Sequence, residues 1–264
     1  MSDILKVPTM AEMTAKGEVP EILFWVGCAG SFDDRAKKIT KAIVKILNKC
    51  NVKFAVLGAE ESCTGDPAKR SGNEFLFQMQ AMQNIMVLNG YEIKKIVTGC
   101  PHCFNTMKNE YPELGGNYEV VHHTQLIQSL IKEGKLQVKG GDTFKGKRIT
   151  FHDPCYLGRA NDVYEAPREL LEKLDSELVE MRKCRSKGTC CGAGGAQMFK
   201  EAEKGNKEVN VLRTEEAMEV KPNIIATGCP FCNTMMTDGV KNKDQEANIQ
   251  VMDVAELIAT AADL

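Results

Sequence analysis

Thr98-Gly99-Cys100-Pro101-His102-Cys103 returns in the second half of the chain as Thr227-Gly228-Cys229-Pro230-Phe231-Cys232. Each copy follows an apolar run, Lys95 to Thr98 and Asn223 to Thr227, that reads as a buried strand. Each also puts proline at the first position of a following helix, where its missing N–H does no harm. Outward from this pair, Cys28 matches Cys155 and Cys63 matches Cys191, with offsets of roughly 127 to 129 residues throughout, the mark of an internal duplication. Nine of eleven cysteines fall into two sets: Cys28, Cys63, Cys100 and Cys103, then Cys155, Cys190, Cys191, Cys229 and Cys232.

The segments between the cysteines alternate strand with helix. In the first half the strands are Ile22 to Val26, Lys53 to Leu57, Lys95 to Thr98 and Tyr118 to Val121. Ser31 and Asp33 are candidate caps for a helix whose apolar face is Ile39, Ala42, Ile43, Ile46, Leu47 and Cys50; Asn73 to Leu88 and Thr124 to Ile131 follow as helices. Met79, Met82 and Met86 on the second of these have helical spacing and read as core filling. In the second half the strands are Arg148 to His152, Glu177 to Met181, Asn223 to Thr227 and Ile249 to Met252. Its helices are Pro167 to Leu174, a long one through Met218, and Val254 to Ala262. Such alternation predicts an α/β fold of two tandem, duplicated parallel-sheet units. The predicted organisation is an N-terminal extension (1–20), a first cysteine-rich domain (21–143) and a second (144–264), with a Gly- and Lys-containing linker from about Gly134 to Lys147.

Composition narrows the function. With 43% hydrophobic and 27% charged residues and a net charge of -2, the chain has no basic excess and no nucleic acid is expected as a partner. Residues 1–20 lack a signal-type apolar core, and no run approaches the roughly 20 apolar residues of a membrane span, so a cytoplasmic location is expected, with no transmembrane segment of its own. In a reducing compartment patterned cysteines are metal ligands or redox groups more often than disulfides.

Loops that follow the strands of a parallel sheet all emerge at its carboxyl edge, where ligands of such folds bind. Each half places its cysteines after its first three strands, so thiols remote in sequence should meet there. The CxxC pairs open helices, whose N-termini favour thiolate. Four thiols suit zinc or an iron–sulfur cluster, whereas the five of the second set exceed a zinc tetrahedron and point to an unusual cluster. A thioredoxin-like enzyme would explain one CxxC and leave the other thiols unexplained. No glycine loop has the dinucleotide fingerprint in its strand-to-helix setting: Gly192-Ala193-Gly194-Gly195 lacks the later glycine and sits beside the candidate ligands.

The spacing of one cysteine, Cys-Cys-Gly and Cys-x-x-Cys resembles the cysteine-rich CCG domain of heterodisulfide reductase catalytic subunits and related iron–sulfur oxidoreductases, over nearly the whole chain. The wording Asp153-Pro154-Cys155-Tyr156-Leu157-Gly158-Arg159, Cys190-Cys191-Gly192-Ala193-Gly194-Gly195 and Glu61-Ser62-Cys63-Thr64-Gly65-Asp66-Pro67 is most similar to the C-terminal region of membrane-associated reductases that link electron-transfer flavoprotein to quinone. The resemblance implies a noncubane [4Fe-4S] cluster on Cys155, Cys190, Cys191, Cys229 and Cys232. In the first set Ser62 stands where the first cysteine of the pair belongs and Thr64 intervenes before Gly65, leaving four thiols for a second [4Fe-4S] cluster, zinc or nothing.

It further implies an electron-transfer or reductase subunit working between a flavoprotein or ferredoxin-type partner and a quinone or disulfide acceptor. The implied partners are a larger redox subunit with ferredoxin-type clusters, haem or a membrane anchor, and an electron-transfer flavoprotein, which would hold the chain peripherally on the inner membrane face. A zinc-stabilised scaffold is the rival reading. Cys50 reads as core and Cys184 as a bystander thiol; His102 reads as a hydrogen-bond donor beside the ligands, His123 as a helix cap, and His152 as either a structural residue or one that tunes the cluster.

Overall fold

The computed structural model describes residues 5–138, 142–201 and 204–264. Strands β1 (Ile22–Trp25), β2 (Phe54–Ala55), β3 (Lys95–Thr98) and β4 (Glu119–His122) pair in the order β2-β1-β3-β4. Strands β5 (Arg148–Phe151), β6 (Glu177–Leu178), β7 (Ile224–Thr227) and β8 (Gln250–Asp253) pair as β6-β5-β7-β8. Every pairing is parallel, and the two orders are the same under the repeat. The duplication read from the cysteines is therefore a duplication of the backbone.

The helices are α1 (Met10–Ala15), α2 (Gly27–Phe32), α3 (Ala36–Lys49), α4 (Asp66–Arg70), α5 (Glu74–Gly90), α6 (Pro101–Asn105), α7 (His123–Lys132), α8 (Glu165–Leu171), α9 (Val209–Met218), α10 (Pro230–Asn242) and α11 (Val254–Ala261). Ile43, Ile46 and Leu47 of α3, Ile127 and Leu130 of α7, Leu170 and Leu171 of α8 and Leu257 and Ile258 of α11 bury into one core with Phe24, Val97, Ile149 and Phe151 from both sheets. Full burial of such side chains contributes about 1.5–3 kcal/mol each, so this shared layer binds the halves into one body. Two polar ties reinforce it. His123 Nε2 and Asp253 Oδ1 meet at 2.9 Å with both side chains buried, and Arg35 forks onto the Glu256 carboxylate at 2.8 and 2.9 Å. The outer face of the first sheet is covered by Phe77, Ile85 and Leu88 of α5 and Phe104 of α6, and that of the second by Ala217, Met236 and Val240 of α9 and α10.

Several elements differ from the sequence expectation. Strands β2 and β6 are two residues long, shorter than the runs Lys53 to Leu57 and Glu177 to Met181, and each pairs with its neighbour over those two residues alone. Between β1 and α3 the chain forms the short α2, and it is Asp33, not Ser31, whose carboxylate accepts the Ala36 N–H at 2.7 Å. The long helix through Met218 is only the ten residues of α9, and the glycines after Cys191 keep the preceding loop irregular. The linker's buried Leu136 and Phe144 join the shared core, and its residues 139–141 lie outside the described residues. In the N-terminal extension Thr9 and Glu12 form a capping box for α1, whose Met10 and Met13 are buried, and Thr9 bridges to Val56 beside β2. Met79, Met82 and Met86 do not fill the core. They are exposed on α5, whose buried stripe is Phe77, Ala81, Ile85 and Leu88. The helix carries two apolar stripes, and spacing alone does not say which one faces the sheet.

Candidate metal centre

Both sheets present their carboxyl edges to the same region. Cys28 lies in the first turn of α2 after β1, Cys63 in the loop after β2, and Cys100 is the N-cap of α6, which contains Cys103. Cys155 follows β5, Cys190 and Cys191 lie in the loop after β6, and Cys229 is the N-cap of α10, which contains Cys232. Six loops remote in sequence thus deliver nine thiols, all of them free.

The thiols hydrogen-bond to one another within each half. In the first half Cys28 hydrogen-bonds Cys63 and Cys100 hydrogen-bonds Cys103; in the second Cys190 bonds both Cys155 and Cys191, and Cys232 bonds Cys229. Cys191 Sγ is 3.2 Å from Cys232 Sγ. The sets are themselves joined by a hydrogen bond between Cys100 and Cys229, both buried. A proton shared between thiols leaves one partner closer to thiolate. The hydrogen bond from Cys28 brings Cys63 down to about 7, despite burial, helped by the Gly65 N–H. Bonds from Cys155 and Cys191, then the Gly192 N–H, hold Cys190 far below the ordinary thiol range. Cys191 is in turn pushed up to about 12 by its bond to Cys190. Nine clustered soft donors, three of them drawn toward thiolate and five buried, with the two CxxC pairs opening helices, fit an iron–sulfur group.

The geometry corrects the alignment of the repeats. Gly65 N–H points to Cys63 Sγ at 3.4 Å with φ +89°, and Gly192 N–H points to Cys190 Sγ at 3.3 Å with φ +93°. Both turns need the left-handed region that glycine adopts without strain. Cys63 therefore matches Cys190, not Cys191, and Gly65 matches Gly192 with nothing inserted. Thr64 then holds the place of Cys191, and its hydroxyl lies 3.8 Å from Cys103 Sγ as Cys191 lies near Cys232 Sγ. Ser62 turns elsewhere, donating to Asn84 Oδ1 at 2.8 Å. Reading cysteine-before-glycine as the fixed point misplaces the missing thiol by one position.

Charged and polar side chains brace these loops. Glu61, which sequence reasoning passed over, accepts the Val26 and Gly27 N–H groups at 3.0 and 2.6 Å and ties the exit of β1 to the Cys63 loop; burial pushes its carboxyl up to about 7. Arg168, also passed over, holds Asp153 bidentately at 2.7 and 3.0 Å and Glu180 at 2.6 Å, fixing the approach to Cys155. His102 pairs with Asp66 at 2.9 Å; burial works against its charge, but Asp66 and Cys100 raise it above its ordinary value. His152 accepts from Arg213 Nε at 3.1 Å, and burial with the nearby guanidinium drives it down to about 3, keeping it neutral. A His152 ring nitrogen lies within 4.8 Å of the Cys191 and Cys232 thiols. His123 is not a cap but the buried partner of Asp253. Cys50 is in the shared core, and Cys184 stands outside both sets beside Glu180.

Residues 22–108 and 149–237 match the cysteine-rich domain family, CCG, one match in each half. A probable iron–sulfur-binding oxidoreductase, FadF, of Bacillus subtilis is 48% identical over 96% of this chain and 36% of its own length. The EtfAB:quinone oxidoreductase of Syntrophomonas wolfei is 44% identical over 94% of the chain and 35% of its own length. A subunit of the dihydromethanophenazine:CoB–CoM heterodisulfide reductase of Methanosarcina barkeri is 32% identical over 92% of the chain and 59% of its own length. The chain spans about a third of the first two relatives and 59% of the third. With both halves matched and nine thiols gathered at the matched loops, the chain belongs to the cysteine-rich CCG domain family and carries two copies of its domain.

Proposed function

We propose that this chain is the cluster-bearing part of an oxidoreductase, passing electrons between a flavoprotein or ferredoxin-type partner and a quinone or disulfide acceptor. The observation that supports it is the contact between the buried thiols of Cys100 and Cys229, which makes the two sets neighbours. Cys155, Cys190, Cys191, Cys229 and Cys232 would hold a noncubane [4Fe-4S] cluster, and Cys28, Cys63, Cys100 and Cys103 a second [4Fe-4S] cluster. Zinc is the alternative for the four-thiol set, and a zinc-stabilised scaffold the alternative for the chain. A bound iron–sulfur cluster supplies one-electron transfer. The chain supplies thiolate, exclusion of water by burial of Cys100, Cys103, Cys191, Cys229 and Cys232, and a neutral His152 against the second set.

Partners follow from the same reading. No helix among the described residues is long and apolar enough to cross a membrane. The relatives are longer than this chain, and α5 offers an exposed apolar face of Phe75, Met79, Met82 and Met86. We assign that face to a larger redox partner with ferredoxin-type clusters, haem or a membrane anchor, which would keep this cytoplasmic chain at the inner membrane face. Electron-transfer flavoprotein is the proposed donor or acceptor on the other side. Anaerobic purification with iron, sulfide and zinc analysis tests the reading. Brown protein with iron and sulfide in comparable amounts is the expected result, and colourless zinc protein would overturn it.

A further inference from the structure

Beside Cys28 the surface opens into a cavity of about 340 Å³, lined chiefly by Cys28, Ala29, Phe32, Met198, Phe199 and Phe231. Phe32 and Phe199 are 82% and 63% exposed, a costly arrangement for two phenyl rings unless something lies against them. The Phe199 ring stands edge-on to Phe231, 6.0 Å between centroids. The repeat explains why there is space. Ala29 follows Cys28 as Tyr156 follows Cys155, and Phe231 occupies in its CxxC the place of His102 in the other. In the second half that corner is filled: Tyr156 packs on His102 at 4.6 Å, Arg70 lies 5.4 Å from the Tyr156 ring, and Asp66 holds His102 in place. In the first half the phenol is replaced by a methyl group, and Cys28 is left facing an apolar recess.

The chemistry of the lining selects the occupant. Aromatic rings and methionine favour a flat apolar ring. Among the described residues Asp33 is the one charged residue of the lining, so anionic ligands such as phosphate-bearing cofactors or carboxylated disulfides are disfavoured. We propose that this cavity binds the ring of an uncharged quinone, packed between Phe32, Phe199 and Phe231 beside Cys28. The choice of a quinone among flat uncharged rings rests on the electron-transfer reading above.

The test is equilibrium dialysis of the anaerobically purified full chain with 2,3-dimethyl-1,4-naphthoquinone, whose methylated ring carbons resist addition by thiols. Saturable binding at one site per chain is expected. Ala29→Tyr, which copies the filled corner of the second half, and Phe199→Ala should each weaken it by about tenfold or more, while Val19→Ala, exposed in the N-terminal extension and absent from the lining, should leave it unchanged. Thermal melts of each variant identify any that has lost its fold, and Phe199→Ala, at an exposed position, remains informative if Ala29→Tyr does not fold. No saturable binding, or equal binding by wild type and Phe199→Ala, would overturn the proposal. Tighter binding of riboflavin than of the quinone would also overturn it, in favour of a partner's flavin. Iron in the same samples reports separately on the electron-transfer reading, since binding is read without any turnover.

Discussion

Thr64 stands in the first half where Cys191 stands in the second: each follows a cysteine that accepts from a left-handed glycine two residues on, and each faces the last thiol of its CxxC. The first set is therefore one thiol short at a defined position. Thr64→Cys should complete it and give the first half the iron stoichiometry and paramagnetic signature of the second. Ser62→Cys should not, because that side chain is directed at Asn84. Iron analysis and electron paramagnetic resonance on the full chain check this, and a change in the Ser62 variant alone would refute the equivalence.

Among the native thiols, each one's hydrogen-bond partners set the size of the effect. Cys191→Ser should remove the iron of the second set and spare the first. Cys229→Ser, which also loses the bond to Cys100, should disturb both, because a hydroxyl is a poor substitute for thiolate at iron. Cys50→Ser and Cys184→Ser should keep full iron. Iron per chain for the four variants is the measurement, and loss of iron in the Cys50 variant would show that the ligands are wrongly chosen.

Much of this was legible in the sequence for a physical reason. Cysteine spacing survives duplication, and a parallel sheet brings its own carboxyl-edge loops together, so Cys28 could be placed near Cys100 and Cys155 near Cys229 without coordinates. The convergence of both halves, with Cys100 against Cys229, could not, because it depends on how α3, α7, α8 and α11 pack between the sheets. Nor could Thr64. Ser62-Cys63-Thr64-Gly65 aligns with Cys190-Cys191-Gly192 in two registers, and only the φ of Gly65 and its bond to Cys63 choose between them. Arg168 and Glu61 were illegible for a different reason: their partners Asp153, Glu180, Val26 and Gly27 are neighbours in space alone.

Arg168 gives a stability prediction. Its guanidinium is buried, as is the Asp153 carboxylate it holds, so Arg168→Met strands a buried charge and should cost about 3–5 kcal/mol. Asp153→Asn in the same chain should recover part of that loss, since the amide needs no counter-charge. Denaturant unfolding of the metal-free chain separates this effect from cluster loss, and a cost under about 1 kcal/mol for Arg168→Met would mean that the pair is solvated in solution.

The exposed face of α5 yields the last prediction. Were Met82 and Met86 core residues, as their spacing first indicates, charging them would unfold the chain; but both are more than half exposed, at 55% and 73%, so Met82→Lys with Met86→Glu should shift stability by no more than about 0.5 kcal/mol per site. The same double variant should lose the larger redox partner, because a charge at the centre of an apolar contact is left desolvated and unpaired. Copurification from native cells, with thermal melts of the purified chain alongside, reads both halves of the statement. Undiminished copurification by a folded double variant would remove α5 from the partner surface, and a large drop in stability would restore the two methionines to the core.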